Sequence, residues 1–149
     1  MLKRLPPVLT PELLYVMASM GHGDALALVD ANFPAASVAQ TTAHGRPIHL
    51  AGVDVPSALE AILSVLPLDT FIPTPVQRML VVDDPTAVPD VQRHAAELIT
   101  AAADGVSVGG LERFAFYDAA RTAYAVVATG ERRFYGCYLL TKGVIEPPH

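Results

Sequence analysis

The sequence predicts an α/β fold: a single three-layer domain over residues 1–149 with a central, mostly parallel sheet. Three observations carry that expectation. Helical and extended patterns alternate along the chain, as they do when strands lie side by side and helices cross their faces. The strand candidates are short apolar runs, as expected of strands buried on both faces. Hydrophobic residues make up 52% of the chain and charged residues only 17%. That balance is greasier than an average soluble domain. It fits a doubly buried sheet and also surface lost to partner subunits.

The first helix is well signalled. Thr10 suits the N-cap, Pro11 the first helical position, and Glu12 the positive end of the dipole. Leu13, Leu14, Met17 and Met20 follow at helical spacing, and Gly21 is the expected stop. Ala25–Val29 is too short for a helix and reads as a central strand. Residues 30–42 read as loop, marked by Asn32, Pro34 and Ser37, and Ile48–Leu50 as a weak strand. A second helix is expected from Val55 to Leu66, capped by Asp54 or Val55 and closed by Pro67. Residues 68–75 carry two prolines and read as extended. Val76–Val82 is a strand and Asp83-Asp84-Pro85 a turn.

A third helix is expected over Val88–Ala103, with Val91, Ala95, Leu98, Ile99 and Ala102 on one face, ended by Asp104-Gly105. Residues 114–121 form a short amphipathic helix. Ala123–Ala128 and Tyr138–Thr141 are strands, close enough in sequence to form a hairpin through the turn at Thr129–Arg132. No internal repeat, linker or low-complexity tract interrupts this pattern. The tail from Glu146 reads as frayed or as an interface element.

Composition removes several function classes. A net charge of −5 lacks the basic face that nucleic-acid binding needs. The lone cysteine, Cys137, cannot form an internal disulfide, and no window approaches the ~18 apolar residues of a membrane span. The N-terminus has no apolar signal-peptide core. A cytoplasmic protein is the expectation. The glycine-rich run Gly105–Gly110 lacks G-x-G-x-x-G and the Lys-Ser/Thr pair of a phosphate loop. His44 and His49 are not at the i, i+4 spacing of a helical zinc site, and one cysteine cannot build a cluster. No nucleophile elbow occurs. No metal and no cofactor are expected.

The run Met20-Gly-His22-Gly-Asp24, followed by the strand and by Asp30-Ala-Asn-Phe-Pro34, points most directly to chemistry. His22 has two readings. It can be an exposed bystander in a helix-ending turn, with Gly21 supplying a positive φ. Alternatively, two glycines let a ligand approach the backbone while the imidazole exchanges protons beside two nearby acids. Asp24 can simply cap the turn. Asp30 follows a strand at its carboxyl end, where ligands bind in open α/β sheets, or it makes an Asx-turn into Asn32. Arg113 can bind a ligand or pair with Glu112 or Asp118. Tyr117, Tyr124, Tyr135 and Tyr138 read as core or interface aromatics.

Taken together, Thr-Pro-Glu-Leu-Leu (10–14), Met-Gly-His-Gly-Asp (20–24) and Asp-Ala-Asn-Phe-Pro (30–34) resemble the opening of the fucose mutarotase and ribose pyranase family. Arg-Phe-Ala-Phe-Tyr (113–117), Ala-Thr-Gly-Glu-Arg (128–132), and Tyr135-Gly136 followed by Leu-Leu-Thr-Lys-Gly-Val (139–144) resemble the fucose branch. The resemblance runs from about residue 9 to residue 144. It implies an isomerase that interconverts the α and β anomers of a free monosaccharide, a reaction that requires no redox change or metal, with L-fucose as the expected sugar. It implies His22 as catalytic acid/base. It implies Asp30, Arg113, Tyr135, Gly136 and Cys137 as substrate-binding positions, with Tyr135 a candidate second proton carrier. It also implies a homo-oligomeric ring, a decamer of two pentamers, with pockets shared between neighbours.

Two positions depart from the family pattern. Cys137 stands where asparagine is usual, and a thiol donates and accepts only weakly. One sugar contact is thus expected to be weakened, moved or replaced by the backbone or Tyr138. Glu112 stands where asparagine is frequent. The alternative function is a non-catalytic sugar-binding or regulatory module.

Overall fold

A computed structural model describes all residues, 1–149. Five helices and six strands follow one another as α1 (Pro11–Ser19), β1 (Ala25–Val29), α2 (Ala35–Ala39), β2 (Pro47–Leu50), α3 (Val55–Leu63), β3 (Val76–Met79), α4 (Asp90–Ala102), β4 (Val108–Leu111), α5 (Arg113–Arg121), β5 (Ala125–Thr129) and β6 (Tyr138–Thr141). The strands form one sheet in the order β2-β5-β1-β6-β3-β4. β1 pairs in parallel with β5, β5 with β2, and β3 with β4. β6 runs antiparallel to both β1 and β3. Five strands therefore point one way, and their carboxyl ends share one edge.

Both faces of the sheet are covered. One core packs Leu13, Val16 and Met17 of α1 and the apolar face of α3 against Leu26, Leu28, Ile48, Val127 and Leu140. The other packs Val38 and Ala39 of α2 and Phe116 and Ala120 of α5 against Ala27, Val29, Val126 and Leu139. Adjacent residues of β1 thus belong to opposite cores, as strand alternation requires. Each wholly buried leucine or valine contributes about 1.5–3 kcal/mol.

Local chemistry sets the ends of the elements. The Thr10 side chain accepts the Leu13 N–H, and Pro11 opens α1. The Asp54 side chain does the same for α3, accepting the Ser57 N–H.

Several expectations are corrected. β5 and β6 are not a hairpin, because β1 lies between them. β4 and α2 arise where glycine-rich chain and loop were expected. A Cβ at Gly109 or Gly110 would collide with Gln77 or Leu80, so this edge strand uses glycine to approach β3 closely. Two helices and β3 end earlier than expected: α3 stops at Leu63, α4 spans 90–102 and β3 stops at Met79. On α4, Ala102 is exposed, and the buried face holds the polar Gln92 beside Val91, Ala95 and Ile99.

Candidate functional site

His22 sits at the amino end of β1, in a turn built almost wholly from backbone. α1 ends at Ser19, and Met20 has extended backbone. The left-handed residue is Gly23, with φ of 86°, not Gly21. Asp24 caps the turn by accepting the Gly21 N–H at 2.7 Å. The Gly23 N–H donates to the Lys142 carbonyl at 2.9 Å, and the Lys142 N–H donates to the Asp24 carbonyl at 2.8 Å. The Lys142 ammonium donates to the Met17 and Met20 carbonyls at 2.7 and 2.6 Å, closing the end of α1.

The imidazole that this turn presents has a partner the sequence did not signal. His22 Nε2 lies 3.1 Å from Asp69 Oδ1, with the His22 side chain 43% exposed and that of Asp69 only 4%. Phe71 packs edge-on against the imidazole, with centroids 5.3 Å apart. Asp69 also accepts the Phe71 N–H at 3.0 Å. That bond first, and His22 second, hold its carboxyl below the usual aspartate range. An Nε2–H donating to Asp69 leaves Nδ1 free to move a proton. Asp69 lies in the proline-bounded segment read as merely extended, and only the sheet brings it here: its N–H donates to the Thr141 carbonyl of β6 at 3.0 Å.

Asp30 is elsewhere. It follows the carboxyl end of β1, so the five residues of that strand separate it from the His22 turn by roughly 17 Å. Neither Asp24 nor Asp30 orients His22 within one chain, contrary to expectation. Asp30 is 6% exposed. Oδ1 accepts the Asn32 N–H at 3.0 Å, which is the Asx-turn, and Oδ2 lies 3.4 Å from the Cys137 sulfur as that thiol's acceptor. Burial raises its pKa, against these hydrogen bonds. A cleft of about 450 Å³ opens here, lined by Asp30, Phe33, His49 and Thr129 among others.

The other expected positions gather at this same carboxyl edge. Arg113 starts α5, directly after β4. It pairs with neither Glu112 nor Asp118. Glu112 caps the helix by accepting the Phe114 and Ala115 N–H groups, and Asp118 pairs with Arg121. The guanidinium instead lies over the Phe114 and Tyr117 rings and donates from Nε to the Tyr117 hydroxyl at 3.2 Å. Tyr117 packs on Phe33, whose N–H donates to the Asp30 carbonyl. An uncompensated cation therefore stands beside the Asp30 turn.

Tyr135 has a left-handed backbone, φ 65°, and its hydroxyl accepts the Val82 N–H at 3.2 Å. It borders a second cavity of about 490 Å³, with Val81, Val88, Val91 and Phe134. Gly136 is confined: a Cβ there would stand 3.0 Å from Glu131 Cγ and 3.5 Å from Asp30 Cβ. Cys137 is 1% exposed. Burial, and then the Asp30 charge, push its thiol well above the ordinary range. It backs Asp30 instead of facing a cavity. Tyr138 cannot replace it as a sugar contact, because its ring lies in the opposite core with its hydroxyl unpartnered.

A brace unforeseen in the sequence holds these pieces. Glu131 is 3% exposed. Its carboxylate accepts from the Arg133 N–H, Nε and Nη2 at 2.8, 2.9 and 2.7 Å, and from the Val55 N–H at 3.3 Å. Arg133 holds its pKa down at about 2. The Glu131 carbonyl accepts the Ala31 N–H at 2.9 Å, tying the β5–β6 connection to the Asp30 turn. No group of three or more His, Cys, Asp or Glu side chains is placed to hold a metal ion. No helix is long and apolar enough to cross a membrane.

Residues 3–145 match the model of the RbsD / FucU transport protein family. The chain belongs to that family. It is 46% identical to the fucose mutarotase of Danio rerio, over 98% of this chain and 95% of that protein. The structure of a fucose mutarotase from Streptococcus pneumoniae in complex with L-fucose superposes with a TM-score of 0.88 at 36% identity, covering 97% of this chain and 100% of the other. FucU from Bifidobacterium longum gives 0.87 at 39% identity, covering 95% and 99%.

Proposed function

We propose that this protein is an isomerase that interconverts the α and β anomers of L-fucose by acid/base ring opening and closure. The observation that carries the reading is the half-exposed His22 imidazole held by Asp69 on a rigid turn, in a chain whose opposite sheet edge collects Asp30, Arg113 and Tyr135. Support comes also from similarity to fucose mutarotases across nearly the whole chain.

In this mechanism a base takes the proton from the anomeric hydroxyl while an acid protonates the ring oxygen. The C1–O5 bond breaks, giving the open-chain aldehyde. Rotation about C1–C2 exposes the other carbonyl face, and the reverse transfers close the ring. No net proton or electron is consumed. His22 Nδ1 is the proton carrier, and each positioned acid/base group supplies ~10²–10⁴-fold. Asp30 binds sugar hydroxyls as the recessed acceptor, and Arg113 donates to them. Tyr135 and Gly136 shape the wall. Cys137 acts from behind Asp30.

His22 and Asp30 lie too far apart in one subunit to grip one monosaccharide. The reading therefore includes a homo-oligomeric ring, with His22 of one subunit completing the carboxyl-edge cleft of its neighbour and a decamer as the expected assembly. Exposed Phe71 and Ile72 near His22, and Phe114 and Phe134 at the other edge, give such contacts apolar surface. A cytoplasmic location belongs to the same reading.

Saturation-transfer NMR on L-fucose tests the activity. Accelerated anomer exchange is expected, and fucose binding without exchange would favour the non-catalytic sugar-binding module. Light scattering should give a mass many times 15.8 kDa, and a fully active monomer would remove the shared pocket.

A further inference from the structure

Gln92 is a polar side chain on the buried face of α4, 2% exposed, where Val91, Ala95 and Ile99 are apolar. Buried amides persist where their hydrogen bonds are met, and here all are specific. Nε2 donates to the carbonyl of Met79, at the end of β3, at 2.8 Å, and to the carbonyl of Tyr135 at 3.0 Å. Oε1 accepts from Arg78 Nη1 at 2.6 Å. The Arg78 guanidinium forms no ion pair and donates further to the Ala87 and Pro85 carbonyls at 3.1 and 3.3 Å. One amide thus joins the end of β3, the 85–87 loop and the left-handed Tyr135.

We propose that Gln92 is a positioning residue for the sugar site, holding Tyr135 in its left-handed conformation from behind. This rests on the assignment of Tyr135 to the sugar-binding edge. Three non-glycine residues have positive φ: Arg4, Asp83 and Tyr135. For a bulky aromatic residue that backbone is unfavourable and persists only where its surroundings fix it. Tyr135 is fixed at both ends, its carbonyl by Gln92 and its hydroxyl by the Val82 N–H. A leucine at position 92 would fill the core equally well, yet it would leave the Met79 and Tyr135 carbonyls without these donors. Gln92 reaches the sugar site through the Tyr135 backbone and acts only by fixing it.

The test uses Gln92→Leu, which removes the donors and the acceptor, and Gln92→Glu, which keeps an acceptor for Arg78 and loses both donors. Calorimetric L-fucose affinity should fall roughly five- to tenfold in each, the worth of one or two hydrogen bonds. Maximal exchange should stay within about twofold, because the His22–Asp69 pair is held by its own turn, with no hydrogen bond to Gln92 or Tyr135. Unchanged affinity in both variants, or an equal loss in maximal exchange, overturns the proposal. A stability cycle decides independently of activity. Gly at position 135 accepts positive φ freely, so Gln92→Leu should lower the urea midpoint less in a Tyr135→Gly background than with tyrosine present. An equal cost in both backgrounds overturns the proposal. Should Gln92→Leu alone fail to fold, folding of the double variant supports it and failure of the double variant overturns it. If the parent protein exchanges no L-fucose, the functional reading fails, and the stability cycle still judges Gln92.

Discussion

The two edges of the sheet solve opposite problems. At the amino edge a single imidazole stands half-exposed on a turn fixed by backbone hydrogen bonds, with one recessed carboxylate behind it. At the carboxyl edge Asp30 and Glu131 are buried, and Arg113 presents an exposed guanidinium over aromatic rings. On the proposed reading, the first edge supplies the proton carrier. The second has groups suited to hydroxyls, in and beside a cleft. The difference teaches that, on the proposed reading, one subunit displays two halves of a site, each held by its own hydrogen bonds and each incomplete.

Substitutions should separate the halves. His22→Ala should reduce anomer exchange by ~10²–10⁴-fold, the range of one positioned acid/base group. L-fucose affinity, read by calorimetry, should change little. Retained exchange would remove His22 from the mechanism. Asp30→Asn should act the other way, weakening affinity about 10- to 100-fold through loss of a charged acceptor. An Asp30→Asn protein that binds as tightly as the parent would show that the carboxylate does not face the sugar.

Asp69→Asn should lower exchange by roughly tenfold, the worth of one charge-assisted hydrogen bond, and leave affinity intact. A drop in affinity instead would place Asp69 in the sugar pocket and blur the division between the edges.

The smallest effect concerns pH, where two buried carboxylates of the carboxyl edge have opposite signs. Glu131, held down to about 2 by Arg133, is lower folded than unfolded. Its contribution is complete above the ordinary glutamate pKa of about 4.3 and is lost as pH falls toward 2. Asp30 is raised by burial, so the folded state holds its proton more tightly. Its contribution is largest below the ordinary aspartate range and declines as pH rises through the raised value. Urea midpoints from pH 2 to 5 should show the Glu131 slope, and Glu131→Gln should flatten it. An unchanged slope would remove the Arg133 brace from the account.

Much of this was legible in sequence because it is local. The Thr10-Pro11 start, the apolar run of β1 and the glycine-bracketed His22 each announce themselves within a few residues. Asp30 was marked by its place after a strand, and the family pattern supplied Arg113 and Tyr135. What stayed hidden is non-local. Asp69 meets His22 because the segment before β3 pairs with β6, a contact between residues 69 and 141 that no spacing reveals. The eight residues between β5 and β6 suggested a hairpin, yet β1 takes the place between them. That interposed strand sends the connection across the edge carrying Glu131, Tyr135 and Gly136. Gln92 carries no local signal, because its partners Met79, Tyr135 and Arg78 come from distant parts of the chain. Cys137 reads in sequence as a weakened, moved or replaced sugar contact, and in the fold its thiol is a donor behind Asp30.

The central claim is that one working pocket takes its imidazole from one subunit and its carboxylate from another. Mixing His22→Ala and Asp30→Asn subunits in equal amounts, refolding them together and measuring L-fucose exchange far below saturation, where the first lacks the proton carrier and the second binds about 10- to 100-fold more weakly, tests it directly. Random assembly should restore about a quarter of the pockets, and with them about a quarter of the parent activity. Activity no greater than the sum of the two separate variants would mean that His22 and Asp30 serve the same subunit's site, and would contradict the account.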